Sequence, residues 1–175
     1  SEAQRLSFLA MITKIVSGGQ TGADRGGLEA AIALGIPHGG WCPKGRKAED
    51  GPVPLRYNLQ ETKSVDYPER TRLNVKDSDA TLIFTRHPAV QCGGAFEVKL
   101  SRGSEKTKEL CESTGKPYLI VLPDNDQARA SKSIVEFLKK HKVKVLNVAG
   151  PRASSWAGSY ASAKQLVTMA VKEYN

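Results

Sequence analysis

The chain has 175 residues, of which 39% are hydrophobic and 25% are charged, and its formal net charge is +8 at pH 7. This length fits one buried core rather than two, and no apolar run approaches the roughly 18 residues of a membrane-spanning helix. The three cysteines, Cys42, Cys92 and Cys111, are too scattered for a disulfide framework or a zinc site. We therefore expect one domain that works in the cytoplasm, with no membrane and no metal bound directly by protein side chains.

Residues 1–10 are predicted to be an N-terminal extension, because their apolar segment is too short for a signal peptide. The folded domain is then expected to cover residues 11–175. The basic excess would suit nucleic-acid binding, but Lys and Arg occur in separate groups that are mostly interleaved with acids, without a helix-turn-helix or RNA-binding pattern. We expect solvated helix faces or a polyanionic small ligand rather than a nucleic-acid partner.

The first half of the chain begins with a β-rich run over residues 12–17, followed by helical apolar spacing over residues 23–34. Gly35 is the expected C-cap of that helix. A short strand over residues 36–41 leads into a loop over residues 42–57, whose length suggests a lid or a binding segment. An edge strand over residues 59–64 and a helix over residues 67–77, with Pro68 in its first turn, follow.

The second half contains three nearly continuous apolar runs, at residues 80–85, 118–122 and 143–148. Such runs are typical of strands that are buried on both faces of a parallel sheet. Helical segments occupy residues 104–113, 127–141 and 155–174. The alternation predicts an α/β fold: a single-domain, Rossmann-like, doubly wound and mostly parallel sheet with helices on both faces.

Ligands of open parallel sheets collect beyond the carboxyl ends of the strands, and the first candidate loop lies there, at residues 17–27. Its glycines would let backbone N–H groups approach an anion at the start of the next helix, although a tight structural turn is the alternative. The P-loop ending and the GxGxxG spacing are both absent. We predict that a phosphate lies near Gly19 to Gly22, and that an exposed charge such as Lys47 contributes less affinity. The candidate binding residues of this loop are Gly18, Gly19, Gln20, Thr21, Gly22, Asp24 and Arg25.

Two further loops are expected at the same edge of the sheet. The second opens the helix near residue 104 and the third follows the last strand, and each can either hold a phosphate or simply cap and turn the chain. Trp41 or Trp156 can stack on a flat ring, although an aromatic residue at the end of a strand or helix more often serves packing. The candidates from these segments are Ser101, Gly103, Ser104, Thr107, Gly150, Arg152, Trp41 and Lys44.

No catalytic residue stands out in the sequence. The three histidines lie in unrelated contexts, and neither a GxSxG nor a Cys–His signature is present. Asp24 and Glu29 are candidates for contacting a ribose or a pterin amine, or for proton transfer, but an Asp in a first helical turn commonly complements the dipole. Cys42 is either a reactive thiol or a small buried hydrophobe.

Five segments carry a family resemblance: SGGQTGADR at residues 17–25, GIPHGGWCPKGR at 35–46, AEDGP at 48–52, DSDATLIF at 77–84 and LNVAGPR at 146–152. They resemble the molybdenum cofactor carrier proteins, and the match covers nearly all of the chain from Met11. That family is of Rossmann type and is related to the lysine-decarboxylase-like, cytokinin-activating and YpsA-type SLOG proteins.

The resemblance implies a homo-oligomer, a dimer or a tetramer, that binds and shields the molybdenum cofactor (molybdopterin) at the Gly-rich loops. It implies a carrier rather than an enzyme. The alternative is a nucleotide-binding protein or a nucleoside-monophosphate phosphoribohydrolase of the related fold, but Ser101-Arg-Gly-Ser-Glu-Lys-Thr107 does not match its PGGxGTxxE-like loop. Arg102 stands where the family has Gly. Residues 86–100 form an insertion before this loop, in which Cys92-Gly-Gly-Ala95 is a rival phosphate loop.

Overall fold

The computed structural model describes residue 2 and residues 11–86, 90–92, 95–123 and 126–175. The predicted extension, apart from residue 2, lies outside this part of the chain, as do His87 and the two glycines of the rival loop at residues 92–95. The helices are α1 (Ala23–Leu34), α2 (Tyr67–Lys76), α3 (Arg102–Thr114), α4 (Gln127–His141) and α5 (Ser159–Tyr174). The strands are β1 (Lys14–Val16), β2 (His38–Gly39), β3 (Trp41–Cys42), β4 (Lys47–Ala48), β5 (Gly51–Pro52), β6 (Gln60–Glu61), β7 (Ala80–Phe84), β8 (Val90–Cys92), β9 (Ala95–Glu97), β10 (Tyr118–Val121) and β11 (Val145–Ala149).

Five parallel strands form the central sheet, in the order β10-β7-β11-β1-β2. Every residue of β7 is buried, as the absence of an alternating pattern in its sequence predicts. Leu82 and Phe84 of β7 and Leu146 of β11 belong to the core that α1, α4 and α5 cover. Successive side chains of a strand point to opposite faces, so Thr81 and Asn147 face the other side, where α2 and α3 pack together. The predicted doubly wound fold is confirmed.

Most predicted elements are found within a few residues of their predicted ends. The first helix matches its prediction, with Gly35 as a left-handed C-cap at φ 67°. The third helix begins two residues early, at Arg102, because Ser101 is its N-cap and accepts a hydrogen bond from the Ser104 backbone N–H. The last helix begins only at Ser159, after turns that follow the last strand.

The strand predicted over residues 36–41 is wrong as a single element. It breaks at Gly40, where a Cβ atom would lie 2.3 Å from the carbonyl oxygen of Ser17. Only β2 joins the central sheet, while β3 pairs with β6 in a separate ladder. The edge strand predicted over residues 59–64 is therefore reduced to β6 and does not lie at an edge of the main sheet.

The long segment over residues 42–57 folds around a small core of its own, made by Leu28, Cys42, Ala48, Val53, Tyr57 and Leu59. The Arg46 guanidinium donates hydrogen bonds to backbone carbonyl groups at both ends of the following turn. Burial raises the pKa of the Cys42 thiol, which keeps it protonated at neutral pH. Of the two interpretations of Cys42, the structure supports the small buried hydrophobe. None of the described helices is long and apolar enough to cross a membrane.

Candidate functional site

A cleft of about 670 Å³ opens at the carboxyl edge of the sheet. The ends of β1 and β11 form its floor, and the first turns of α2 and α3 form its walls. The predicted site residues that line it are Gly18, Gln20, Asp24, Ser101, Gly103, Ser104, Thr107, Gly150 and Arg152. The expected convergence of the three loops on one edge is therefore present in the structure.

The first loop, residues 17–27, presents few open donors to this cleft. The backbone N–H groups of Gly19, Gln20, Thr21 and Ala23 donate to Ser17 Oγ, Asp24 Oδ2, Gln20 Oε1 and the Pro151 carbonyl oxygen, at 3.0–3.3 Å. Buried N–H groups are costly to leave without an acceptor, and these four all have one, three of them within the loop itself. A phosphate near Gly19 to Gly22 stays a prediction, but it would have to displace these hydrogen bonds.

The predicted residues outside the cleft have structural contacts instead. Gly22 has φ 83°, and a Cβ there would lie 2.4 Å from both the Pro151 carbonyl oxygen and Ser159 Oγ. Arg25 forms an ion pair with Asp50, and Trp41 Nε1 donates to Asp77 Oδ2 at 2.9 Å. Gly19 packs under Val53 and Leu59, and the Thr21 hydroxyl donates a hydrogen bond to Glu49. Lys44 is exposed in a short 3-10 helix. A ligand-binding role for these residues stays a prediction.

Asp24 and Arg70 form a buried ion pair beside the first loop. Arg70 Nη1 lies 2.9 Å from Asp24 Oδ2, and the two side chains are only 13% and 7% exposed. Burial raises the pKa of the Asp24 carboxyl, against the opposing influence of Arg70. Gly18 makes the pair possible, since a Cβ there would overlap Arg70 Nη1. Arg70 Nε is buried and, within the described residues, has no hydrogen-bond partner.

The second loop, residues 101–107, is more open. Ser101 Oγ caps the third backbone N–H of α3, while the first N–H groups of a helix have no partner within it and carry the positive end of its dipole. A Cβ at Gly103 would meet no atom within 4 Å. Arg102 and Lys106 are exposed and line the cleft. This helix start combines open donors with two positive charges.

Glu29 lies outside the cleft, in a contact between α1 and the turn that follows β5. Burial acts to raise the pKa of Glu29, but hydrogen bonds from Tyr57 and Arg56 outweigh it, so the pKa is lowered. These contacts give Glu29 a structural role. Among the described residues, no group of three or more His, Cys, Asp or Glu side chains is arranged to hold a metal ion.

Sequence comparison identifies the family. The chain matches the circularly permutated YpsA SLOG family over residues 15–171. The chain belongs to this family. A crystal structure of a "putative molybdenum carrier protein" from Syntrophus aciditrophicus SB is similar to it, with 42% sequence identity and a TM-score of 0.81, over 93% of this chain and 96% of that chain. Comparison with curated proteins gives no match. The predicted family resemblance is confirmed, and both matches support a ligand-binding role.

The cleft of this SLOG domain lies entirely within the span that matches the family. Among the described residues that line it are four cationic side chains, those of Arg70, Arg102, Lys106 and Arg152, and one carboxylate, that of Asp24, which Arg70 already neutralises. Its remaining charge is therefore positive and favours an anionic ligand.

Several residues that line the cleft were missed by sequence reasoning, chiefly on α2. They are Tyr67, Arg70, Thr71, Asn74 and Asn147. For Asn147 a signal was available, because it is a polar residue inside an apolar strand. For the α2 residues no signal was available, because the sequence does not say which face of this polar helix turns toward the sheet.

Proposed function

We propose that this protein binds and shields an anionic, phosphate-bearing small molecule, the molybdenum cofactor, in the cleft at the carboxyl edge of its sheet. The observation that carries the proposal is the excess of positive charge around an open helix start. The volume of the cleft, about 670 Å³, falls in the range of roughly 300–1,000 Å³ that is common for small-molecule sites.

The residues of the cleft fit a phosphorylated pterin. The start of α3 offers backbone N–H groups and the charges of Arg102 and Lys106 to a phosphate. The side-chain amide of Asn147 lies on the floor, where a hydrogen bond that it donates to Thr81 Oγ1, at 3.2 Å, holds it in place. This amide is available to the polar edge of a ring. Arg70 Nε is a buried donor without a hydrogen-bond partner in the part of the chain that the structure describes. The similarity to a protein named as a molybdenum carrier supports the choice of this ligand.

We also propose that the protein acts as a homo-oligomer, a dimer or a tetramer, in the cytoplasm. The family resemblance supports the assembly, and the free thiols of Cys42 and Cys111 suit a reducing compartment. Light scattering after size-exclusion chromatography would test the assembly, and a monomer at micromolar concentration would contradict it.

Carriage rather than hydrolysis is proposed because the nearby carboxylates have other partners. Asp24 is paired with Arg70, Glu29 with Arg56, and Glu105 lies 3.8 Å from the Lys108 ammonium. A phosphoribohydrolase needs a carboxylate that is free to move a proton or to contact the sugar. Steady release of ribose 5-phosphate from AMP, abolished by Glu105→Gln, would replace our proposal with the hydrolase alternative.

Two measurements test the proposed ligand and its site. Native mass spectrometry of the protein purified from its own host should show the mass of a copurified phosphorylated pterin. Calorimetry with AMP as a probe should then show that Arg102→Gln/Lys106→Gln weakens binding by about tenfold or more, because each lost charged hydrogen bond costs about 1.5–3 kcal/mol.

A matched double variant controls for the loss of charge itself. Arg72→Gln/Lys76→Gln removes two charges from α2, which forms the other wall of the cleft, at exposed positions that do not line it. It should bind AMP within about twofold of the parent, since exposed charges are screened. Equal losses in both double variants would show that only the overall charge matters and would contradict the proposed site.

A further inference from the structure

Tyr67, the first residue of α2, lies among three cations at the mouth of the cleft. Its ring centroid is 5.1 Å from Lys47 Nζ, 5.1 Å from Arg70 Cζ and 5.9 Å from Arg152 Cζ. The side chains of Tyr67, Arg70 and Arg152 line the cleft, and Lys47 approaches from β4 outside it. Three segments that are distant in the chain, β4, α2 and the turn after β11, therefore bring a cation to one ring.

The cations around this ring also repel one another. A ring has two faces, so at least two of the three cations lie on the same side of it and repel each other. Arg70 is offset by Asp24. Lys47 and Arg152 are exposed, and neither makes a salt bridge to any residue that the structure describes.

One further carboxylate, Glu49, faces Arg152. Its two oxygens accept hydrogen bonds from the hydroxyl groups of Thr21 and Ser154, but these donors are neutral, so the carboxylate keeps its charge and partly offsets Arg152. Among the described residues, these two carboxylates offset two of the three cations at the ring of Tyr67, and Lys47 is left without a counter-charge. An anion placed beside it would relieve the repulsion between the cations and gain hydrogen bonds from them.

We propose that Lys47, Tyr67 and Arg152 form a second anion subsite, separate from the start of α3, and that the ligand of this cleft carries two anionic groups. The inference rests on the proposed function and extends it to the class of ligand. The second group carries anionic oxygens, and either another phosphate or the oxygen-bearing molybdenum of the cofactor has that chemistry. Lys47, whose exposed charge the sequence predicts to add less affinity than the first loop, thereby becomes a residue that distinguishes ligands with one anionic group from those with two.

The test compares AMP with ADP as probes, by calorimetry at low ionic strength. The parent should bind ADP about tenfold more tightly than AMP, because the second phosphate gains hydrogen bonds to charged groups. In Lys47→Gln/Arg152→Gln this ratio should fall below about two, while Arg72→Gln/Lys76→Gln should keep the ratio of the parent. Circular dichroism checks that each variant is folded. Lys47→Arg, which keeps the positive charge that Lys47→Gln removes, should retain most of the parent's preference for ADP over AMP.

The outcomes separate this inference from the proposed function. Binding of AMP with no preference for ADP, or a preference that survives in Lys47→Gln/Arg152→Gln, overturns the second subsite alone. Binding of neither nucleotide overturns both. Competition identifies the source of the second anion: if inorganic molybdate cancels the advantage of ADP at concentrations where inorganic phosphate does not, it is an oxyanion of molybdenum. Equal competition by the two ions identifies a second phosphate.

Discussion

The first and second loops look alike in sequence, but their backbone donors have different partners. Each contains glycine and small hydroxyl residues, and each opens a helix at the carboxyl edge of the sheet. In the first loop, Asp24 and Gln20 fold back onto the amide groups. In the second, Ser101 caps only one amide, and the space beside Gly103 is open.

This difference shows that glycine content alone does not predict an anion site. The glycines of the first loop allow close packing, of Gly22 against the turn after β11 and of Gly18 against Arg70. Gly103 makes no such close contact, so the start of α3 is accessible. What distinguishes a binding loop is the presence of donors without a protein partner, and that depends on tertiary structure.

The largest expected effect comes from opening the first loop at its buried ion pair. Asp24→Ala removes the acceptor of the Gln20 N–H and leaves Arg70 buried without a counter-charge. Removing one partner of such a pair typically costs several kcal/mol, so we expect the free energy of unfolding in urea to fall by about 4 kcal/mol. The control is Asp50→Ala, which breaks an ion pair whose carboxylate is 49% exposed and should cost less than about 1 kcal/mol. Similar costs for the two variants would mean that the first loop is not held closed by Asp24.

The next largest effect on stability distinguishes a closely packed glycine of the first loop, Gly22, from an open glycine of the second loop, Gly103. Gly22→Ala places a Cβ against the Pro151 carbonyl oxygen at a positive φ, which combines backbone strain with a clash and should cost about 3 kcal/mol of unfolding free energy. Gly103→Ala adds a Cβ in open space in the first turn of α3, and should change stability by no more than about 1 kcal/mol, in the stabilising direction. Equal unfolding midpoints would show that the glycines of the first loop are not required for packing.

The fold was largely predictable because it depends on patterns that are local in the chain. The apolar runs of β7, β10 and β11 and the helical spacing of α1 and α4 each indicate their own structure. The break at Gly40 was not predictable, since it arises from the approach of the Ser17 backbone, which is distant in sequence.

The candidate site was predictable only in part, for the same reason. The loops at the strand ends could be located, because parallel strands bring their carboxyl ends to one edge. Which backbone amides lack a protein acceptor depends on the orientation of side chains such as Asp24 and Gln20. No local sequence pattern predicts that orientation. The contribution of Arg70 depends equally on how α2 packs against the sheet.

A smaller effect tests the comparison directly, through amide hydrogen exchange. At an AMP concentration of about ten times its dissociation constant, binding adds roughly 1.4 kcal/mol of protection, so exchange should slow about tenfold at Arg102 and Gly103. The amides of Gln20 and Thr21 should change little, because they are already hydrogen-bonded. The opposite pattern, with new protection at Gly19 to Gly22, would return the phosphate to the first loop and reverse the comparison.

The smallest expected effect concerns Glu49, which ties the first loop to the turn after β11 through its hydrogen bonds with Ser154 and Thr21. These bonds lower the pKa of Glu49. A carboxyl group whose pKa is lowered by folding adds stability above its unfolded pKa, near 4.5, and loses that contribution as the pH falls through the folded pKa. Because Glu49 is exposed and therefore screened, we expect Glu49→Gln to lower the unfolding free energy at pH 7 by less than about 1 kcal/mol. The difference from the parent should shrink in urea titrations below pH 4.5, whereas Glu109→Gln, at an exposed carboxylate on α3, should match the parent throughout. A difference that stayed constant with pH would mean that the charge of Glu49 plays no part in holding the first loop closed.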